Sequence, residues 1–211
     1  MVLDCPSLYF EHRLWAEGYR RVAGLDEAGR GAWAGPVVAA AVVLPRQRAD
    51  LLAVLHQVRD SKQLTARTRE ALYPLICETA LAVGIGLASP RFIDAHRIVE
   101  ATRRAMVMAL RNLGLTVDFL LIDALSLPAA GVPQQSLIKG DVQVLSIAAA
   151  SIVAKVTRDH WMIGLDRYHA GYAFASNKGY GTPAHVAALQ RLGPCPAHRM
   201  SFAPLREHQV R

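Results

Sequence analysis

The sequence has few cysteines, and none of them are paired by spacing. Cys5, Cys77 and Cys195 lie far apart and form no C-x-x-C motif. An odd, scattered set of thiols argues against a disulfide framework and against a zinc site. It is typical of a protein in a reducing compartment, and we therefore expect a cytoplasmic location.

A long hydrophobic run is also absent. The longest apolar stretch, residues 37–44, is far shorter than the roughly 20 residues that a membrane helix requires. The N-terminal region carries Asp4, Glu11 and His12 and contains no signal-peptide core. We expect no membrane association.

Acidic residues are outnumbered by basic ones. The chain has 17 Asp and Glu against 24 Lys and Arg, which gives a net charge of +7. Such a field attracts polyanions, and arginine can pair two phosphate oxygens at once. Charge alone leaves two possibilities open, a nucleic-acid partner or a basic protein that is simply soluble. The length of 211 residues and the 52% hydrophobic content predict one compact α/β domain over the whole chain.

Apolar runs and turn residues predict a sheet flanked by helices. The predicted strands cover 19–25, 37–44, 83–88, 118–125 and 136–138. The predicted helices cover 49–58, 65–79, 90–112 with a break near Ile98, and about 144–168. Three strands in succession, followed by strands that alternate with helices, indicate a mixed five-stranded sheet with helices on both faces. Because no long crossover separates the first strands, we expect them to be joined as hairpins and the later strands to form a parallel extension. Glycine and proline from residue 171 onwards predict short helices and loops. We therefore expect a core of sheet and helices over about 20–160, a small helical C-terminal part over about 161–205 and a short basic tail.

Carboxylates occur where the apolar strands end. Asp26 and Glu27 follow the first strand, Asp123 lies within the fourth, and Asp141 follows the fifth across a glycine. Converging carboxylates repel one another unless a cation lies between them, and hard oxygen ligands favour Mg²⁺ or Mn²⁺. Each aspartate alone has an ordinary alternative, since Asp123 could pair with an arginine or cap a turn and Asp141 could cap the long helix.

Asp26 and Glu27 raise a geometric question. Neighbouring residues on a regular strand point to opposite faces. We therefore expect a bend after Asp26, which Gly29 would ease. A straight strand with Glu27 turned away from the other acids would contradict a four-carboxylate site.

These residues also carry a family resemblance. The segment Asp26-Glu27-Ala28-Gly29-Arg30-Gly31 resembles the D-E-x-G-R-G motif of ribonuclease HII. The resemblance spans roughly residues 20–205, and its further blocks follow in the family's order at 60–62, 121–123, 139–141, 146–159, 178–182 and 198–204. Several ordered blocks of this kind make the match specific.

The resemblance implies an RNase H-like fold and a metal-dependent endonuclease. The expected activity is hydrolysis of the RNA strand of RNA/DNA hybrids and cutting on the 5′ side of ribonucleotides embedded in duplex DNA, which leaves a 3′-hydroxyl and a 5′-phosphate. Two Mg²⁺ or Mn²⁺ ions are expected with substrate bound, and the chain is expected to act as a monomer that removes ribonucleotides from DNA. Carried over by position, the catalytic and metal-binding carboxylates are Asp26, Glu27, Asp123 and Asp141.

The resemblance also implies a set of substrate-binding residues. Gly29, Arg30 and Gly31 would contact the ribose 2′-OH, which distinguishes RNA from DNA. Tyr180 would pack against the following deoxyribose. Phosphate and substrate contacts are implied for Ser61, Lys62 and Lys155, although spacing alone leaves Ser61 and Lys62 open as an exposed polar turn. His185 and His198 could contact phosphate, but we expect ordinary surface histidines.

Three positions depart from the family pattern. Ala124 stands where glycine is more frequent, Gln63 replaces a frequent lysine, and Arg97 replaces a common asparagine. None removes a carboxylate. Two rival hypotheses remain, another RNase H-like nuclease of the resolvase or integrase type and a module that binds hybrids without cutting. The sister ribonuclease HIII is disfavoured because only about 20 residues precede the first strand, too few for its extra domain.

Overall fold

The centre of the molecule is a five-stranded mixed sheet with the order β3-β2-β1-β4-β5. The computed structural model describes residues 5–206. The strands are β1 Val22–Ala28, β2 Val37–Val43, β3 Ala82–Ala88, β4 Phe119–Asp123 and β5 Gln134–Leu137. Strands β1, β2 and β3 pair antiparallel, whereas β4 pairs parallel with both β1 and β5. The predicted mixed sheet is confirmed.

Strand β1 differs from the prediction in its bounds. It ends at Ala28, so Asp26 and Glu27 lie within the strand and not after it. They pair with Ala40 and Ala39 of β2, whose continuous apolar run extends the ladder. This antiparallel pair confirms the predicted hairpin between the first two strands.

Helices cover both faces of the sheet. They are α1 Tyr9–Ala16, α2 Leu51–Val54, α3 Ala66–Thr79, α4 Pro90–Arg111, α5 Leu145–Tyr168, α6 Phe174–Asn177, α7 Pro183–Leu192 and α8 Ala203–Arg206. Single 3₁₀ turns occur at Ser61–Gln63, Pro128–Ala130 and Gly140–Val142. Among the described residues, no helix is both long and apolar enough to cross a membrane.

Helix starts follow the predicted capping signals. The hydroxyls of Thr65 and Ser89 accept hydrogen bonds from the backbone N–H groups of Thr68 and Phe92. Helix α4 is interrupted at Arg97, with φ 65° and ψ 160°, which confirms the predicted break.

The structure differs from the prediction at two helices. Helix α1 was not predicted, and the helix expected at 49–58 is reduced to the four residues of α2. The Asp50 side chain does not cap α2, because its carboxylate accepts hydrogen bonds from Arg48.

Alternate residues of β1 and β2 pack into two cores. One core lies against α5 and includes Val22, Ala40 and Val42; the other lies against α4 and includes Leu25 and Ala41. Helix α5 approaches β1 so closely that a Cβ on Gly24 would lie 2.3 Å from the Ser146 carbonyl carbon. The small residues near the start of α5 permit this approach, and it brings the polar side chains of α5 to the end of β1.

Candidate active site

A cavity of about 380 Å³ opens beside the end of β1. Pairing of β1 with β4 stops at Leu25 and Ile122, while β1 continues along β2 to Ala28. The lining residues are Asp26, Glu27, Ala28, Gly29, Arg30, Gly31, Ser61, Lys62, Asp123, Ser151, Lys155 and Tyr180. Ten of the eleven residues predicted from the sequence are in this set. The eleventh, Asp141, adjoins it through Lys62.

Asp26 lies at the buried floor of the cavity. Its side chain is on the α5 side of β1, and the residue is 4% exposed. One carboxylate oxygen accepts a hydrogen bond from the Glu27 backbone N–H at 2.7 Å. Burial, followed by the negative charges of Glu27 and Asp123, raises the pKa of Asp26 well above its usual range. The site therefore disfavours several ionised carboxylates when no cation is present.

Glu27 lines the same cavity although the strand is regular. Pairing with β2 continues without a break through Ala28, and the backbone leaves the extended region only at Gly29, where φ is 90°. The bend expected directly after Asp26 is therefore wrong. Glu27 Oε1 accepts a hydrogen bond from Arg30 Nη1 at 3.1 Å, whereas Oε2 is buried without a hydrogen-bond partner in the described structure. Burial raises the pKa of Glu27, and the Arg30 charge opposes the rise.

Asp123 and Asp141 are joined by a turn. Asp123 Oδ1 accepts a hydrogen bond from the Gly140 N–H at 2.7 Å, so this aspartate does cap a turn, as its ordinary alternative proposed. That bond brings Asp141, the next residue, beside Asp123. Asp141 does not cap α5, because Val144 occupies the N-cap position. Burial and the charges of Asp60 and Asp123 raise the pKa of Asp141.

The turn Ser61–Gln63 contributes one buried and one exposed side chain. Ser61 is 5% exposed, and its hydroxyl lies 2.8 Å from the Ser151 hydroxyl, so an exposed turn is the wrong description of Ser61. The Lys62 side chain is largely exposed and places Nζ 3.4 Å from Asp141 Oδ2. Burial acts to lower the pKa of Lys62, but the Asp141, Asp60 and Asp26 charges outweigh it and raise the pKa. Lys62 is thus a protonated group at the cavity edge.

Tyr180 forms the opposite edge of the cavity. Its ring is partly exposed and lies 5.7 Å from Lys155 Nζ and 5.3 Å from Arg158 Cζ. Lys155 also donates to Asp159 at 2.7 Å. An exposed ring backed by two cations offers one face to a ligand.

His185 and His198 are buried, which corrects the expectation of surface histidines. They are 0% and 2% exposed, and their Nε2 atoms lie 3.0 Å apart. His198 Nδ1 accepts from the Cys195 N–H, so its Nε2 carries the proton that is donated to His185, and His185 Nδ1 in turn donates to the Tyr180 carbonyl. Burial lowers the pKa of His185. The hydrogen-bonded histidine pair therefore holds the Tyr180 carbonyl in place.

Sequence reasoning missed Ala28 and Ser151 as lining residues. Ser151 lies within a run of small residues on α5, where nothing local marks it as functional. Its four-residue spacing from Lys155, one helical turn, is the signal that could have indicated it.

The four carboxylates fit a hard divalent cation by their chemistry. In the part of the chain that the structure describes, no three acidic, histidine or cysteine side chains converge closely enough to hold a metal ion as they stand. The charges of Glu27 and Asp123 nevertheless help to raise the pKa of Asp26, and those of Asp60 and Asp123 help to raise the pKa of Asp141. Within the described structure, Glu27 Oε2 has no hydrogen-bond partner. Oxygen-only donors with unrelieved repulsion match Mg²⁺ or Mn²⁺.

Comparisons with known proteins show which family this chain belongs to. A family model described as Ribonuclease HII matches residues 23–205. A relative named Ribonuclease HII from Chloroflexus aggregans is 54% identical over 202 residues, which cover 96% of this chain and 95% of the relative. Among solved structures, ribonuclease H2 from Pyrococcus horikoshii OT3 is 26% identical with a TM-score of 0.75, covering 90% of this chain and 97% of that one. The Bst-RNase HIII complex with Mn²⁺, at 21% identity, TM-score 0.68 and coverage of 97% and 73%, shares the fold.

Proposed function

Because the chain belongs to the ribonuclease HII family, it is an endonuclease that acts on RNA/DNA hybrids, and we propose that it also cuts duplex DNA on the 5′ side of a single embedded ribonucleotide. The observation that carries this proposal is the shared cavity, in which the acids of β1 and β4 lie beside Gly29–Gly31 and Tyr180. The acids would form a metal-binding end of the cavity, and Gly29–Gly31 with Tyr180 would form a sugar-binding end. Because both ends belong to one cavity, binding of the ribonucleotide sugar would place the neighbouring phosphodiester at the metal ions.

The acidic end would hold the divalent cations. Asp26, Glu27, Asp123 and Asp141 are the proposed ligands. Two bound Mg²⁺ or Mn²⁺ ions would supply activation of a water molecule and stabilisation of charge on the leaving 3′-oxygen. Of the carboxylate oxygens of these four side chains, Glu27 Oε2 is the one that is buried without a hydrogen-bond partner in the described structure, and a bound cation would supply that partner.

The other residues of the cavity would bind and orient the substrate. Lys62, protonated beside Asp141, can meet a backbone phosphate as a point charge. Lys155 lies near the Tyr180 ring and can do the same on the other side. Tyr180 would pack on the deoxyribose that follows the ribonucleotide, and Gly29–Gly31 would contact the ribose 2′-OH. The chain is proposed to act as a monomer.

Cleavage of a labelled duplex with one central ribonucleotide tests the function. In Mg²⁺, we expect one product that ends in a 3′-hydroxyl directly 5′ of the ribonucleotide. Asp26→Asn should abolish the cut because it removes a ligand, while Asp50→Asn, which changes an exposed acid paired with Arg48, should cut like the unmodified protein. Full activity of Asp26→Asn would refute the assignment.

Metal binding can be measured without activity. Added Mg²⁺ should raise the melting temperature of the unmodified protein, because a cation that binds only the folded state stabilises it. Asp26→Asn should show little or no such rise, and Asp50→Asn should show the full rise. An equal rise in all three proteins would place the ion elsewhere.

An all-DNA duplex separates the rival hypotheses. A nuclease of the resolvase or integrase type needs no 2′-OH, so cutting of pure DNA would favour that class. Binding of the ribonucleotide duplex without cutting, in either Mg²⁺ or Mn²⁺, would favour a non-cleaving module.

A further inference from the structure

Two arginines lie wholly buried beneath the Gly29–Gly31 loop. Arg158 of α5 and Arg199 are both 0% exposed and are the largest fully buried side chains in the described part of the chain. Among residues 5–206, neither forms a salt bridge with a carboxylate within 4.0 Å. A buried, unpaired cation is costly unless its donors are satisfied in another way.

Arg158 satisfies its donors with backbone carbonyls from two segments. Nε donates to the Pro36 carbonyl at 2.9 Å and Nη2 to the Ala34 carbonyl at 3.0 Å, both just after the loop. Nη1 donates to the Lys178 carbonyl at 2.9 Å, two residues before Tyr180. One side chain thus fixes the distance between the loop and the Tyr180 segment.

Arg199 holds the loop itself. Its Nε donates to the Gly35 carbonyl at 3.0 Å and its Nη1 to the Arg30 carbonyl at 2.9 Å, whereas Nη2 is buried without a hydrogen-bond partner among the described residues. Burial and the nearby charge of Arg158 lower the pKa of Arg199 to about 9, so the guanidinium stays protonated at neutral pH. The planar fork lets one residue span two carbonyls.

The bond to the Arg30 carbonyl sets the direction of the next N–H group. In a trans peptide, the C=O of Arg30 and the N–H of Gly31 belong to one plane and point opposite ways. Because the carbonyl points to the buried Arg199, the Gly31 N–H points away from it, towards the cavity that Gly31 lines. A Cβ on Gly31 would meet nothing within 4 Å, so there is open space beside the Gly31 Cα.

We propose that Arg199 and Arg158 are positioning residues for ribonucleotide recognition: Arg199 orients the Arg30–Gly31 peptide so that its N–H donates to the 2′-hydroxyl oxygen, and Arg158 fixes the Tyr180 segment at the matching distance. This inference rests on the function proposed above. Neither arginine touches the substrate, since both are buried behind the backbone that they hold.

Arg199→Lys is the direct kinetic test. An ammonium group keeps the charge but cannot hold two carbonyls in one plane. A misplacement of about 1 Å can cost on the order of 100-fold in rate, and we expect kcat/KM at a single ribonucleotide to fall 10- to 100-fold. Affinity for an all-DNA duplex should stay within about twofold, because the phosphate contacts remain. Arg111→Lys, a change on the outer surface of α4, should leave both quantities unchanged.

The Gly31 amide gives a second measurement that does not depend on cleavage. In protein labelled with ¹⁵N-glycine, the Gly31 resonance is identified by its loss in Gly31→Ala. Without metal, the ribonucleotide duplex should shift this resonance more than the all-DNA duplex does. In Arg199→Lys without any duplex bound, the chemical shift of Gly31 should already differ from that of the unmodified protein without duplex.

The possible outcomes separate the two proposals. Unchanged kcat/KM and an unchanged Gly31 resonance in Arg199→Lys would overturn the positioning role. If that variant does not fold, equal shifts of Gly31 in the unmodified protein with both duplexes would overturn it. If the unmodified protein does not cut at the ribonucleotide, the proposed function fails, and the Gly31 resonance of free Arg199→Lys still decides whether the arginine orients the peptide.

Discussion

Replacement of Gly29 by alanine should destabilise the fold through one identifiable contact. Gly29 has φ 90°, which costs a residue with a Cβ about 1–2 kcal/mol. The added Cβ would lie 1.9 Å from Arg158 Nε, so the guanidinium must retreat by about 1.5 Å to reach ordinary contact. That movement breaks the 2.9 Å bond to the Pro36 carbonyl. A hydrogen bond from a charged donor contributes about 1.5–3 kcal/mol. Together with the backbone cost, we therefore expect the free energy of unfolding to fall by about 2.5–5 kcal/mol.

Urea unfolding of two matched variants measures this loss. Gly18→Ala is the control, because Gly18 has φ 103° and an added Cβ there meets nothing within 4 Å. It should lose only the backbone cost of about 1–2 kcal/mol. The difference between the variants isolates the displacement of Arg158. Equal losses in Gly29→Ala and Gly18→Ala would refute the argument that Arg158 is pinned beneath the loop.

Other parts of the structure allow three further predictions. Glu11 is 1% exposed and accepts a hydrogen bond from the Ser146 N–H in the first turn of α5. Glu11→Ala should therefore lower the free energy of unfolding, measured in urea, by about 1–3 kcal/mol. An unchanged free energy of unfolding would show that α5 does not need this cap. Burial lowers the pKa of His185, so as pH falls below 6.5 the unfolded state takes up a proton before the folded state does, and the folded state loses stability. The melting temperature should therefore fall towards pH 5. It should fall less steeply in His185→Asn than in His56→Asn, which changes a surface histidine and serves as the control. Ala124 has φ 52°, so Ala124→Gly should raise the free energy of unfolding, measured in urea, by up to about 1 kcal/mol. A clear fall in that free energy would contradict backbone strain at this position.

The sequence predicted what depends on local pattern. The sheet follows from apolar runs, and the starts of α3 and α4 follow from Thr65 and Ser89, because capping involves only the next few residues. The acids were found because a carboxylate in an apolar strand is unusual, and the family motif supplied the glycine loop. All these signals lie within short windows of the chain.

The parts that were missed depend on distant contacts. Burial of His185 and His198 requires the loop after α7 to fold back against α7, and the residues next to either histidine carry no sign of that contact. The regular path of β1 through Glu27 depends on its partner β2. A pattern that spans a few residues predicts neither the contact between the two histidines nor how far the β1–β2 ladder continues.

Helix α5 shows where a longer window would have helped. Ser151, Lys155 and Arg158 follow one another at spacings of four and three residues, which place them on one helical face. Ser151 contacts Ser61 near the acids, whereas Lys155 and Arg158 lie beneath the Tyr180 ring, so this face runs from the acidic end of the cavity to its sugar-binding end. A buried polar stripe on a helix of small apolar residues is costly unless its partners are fixed. The same stripe therefore explains why the two ends of the cavity keep one separation.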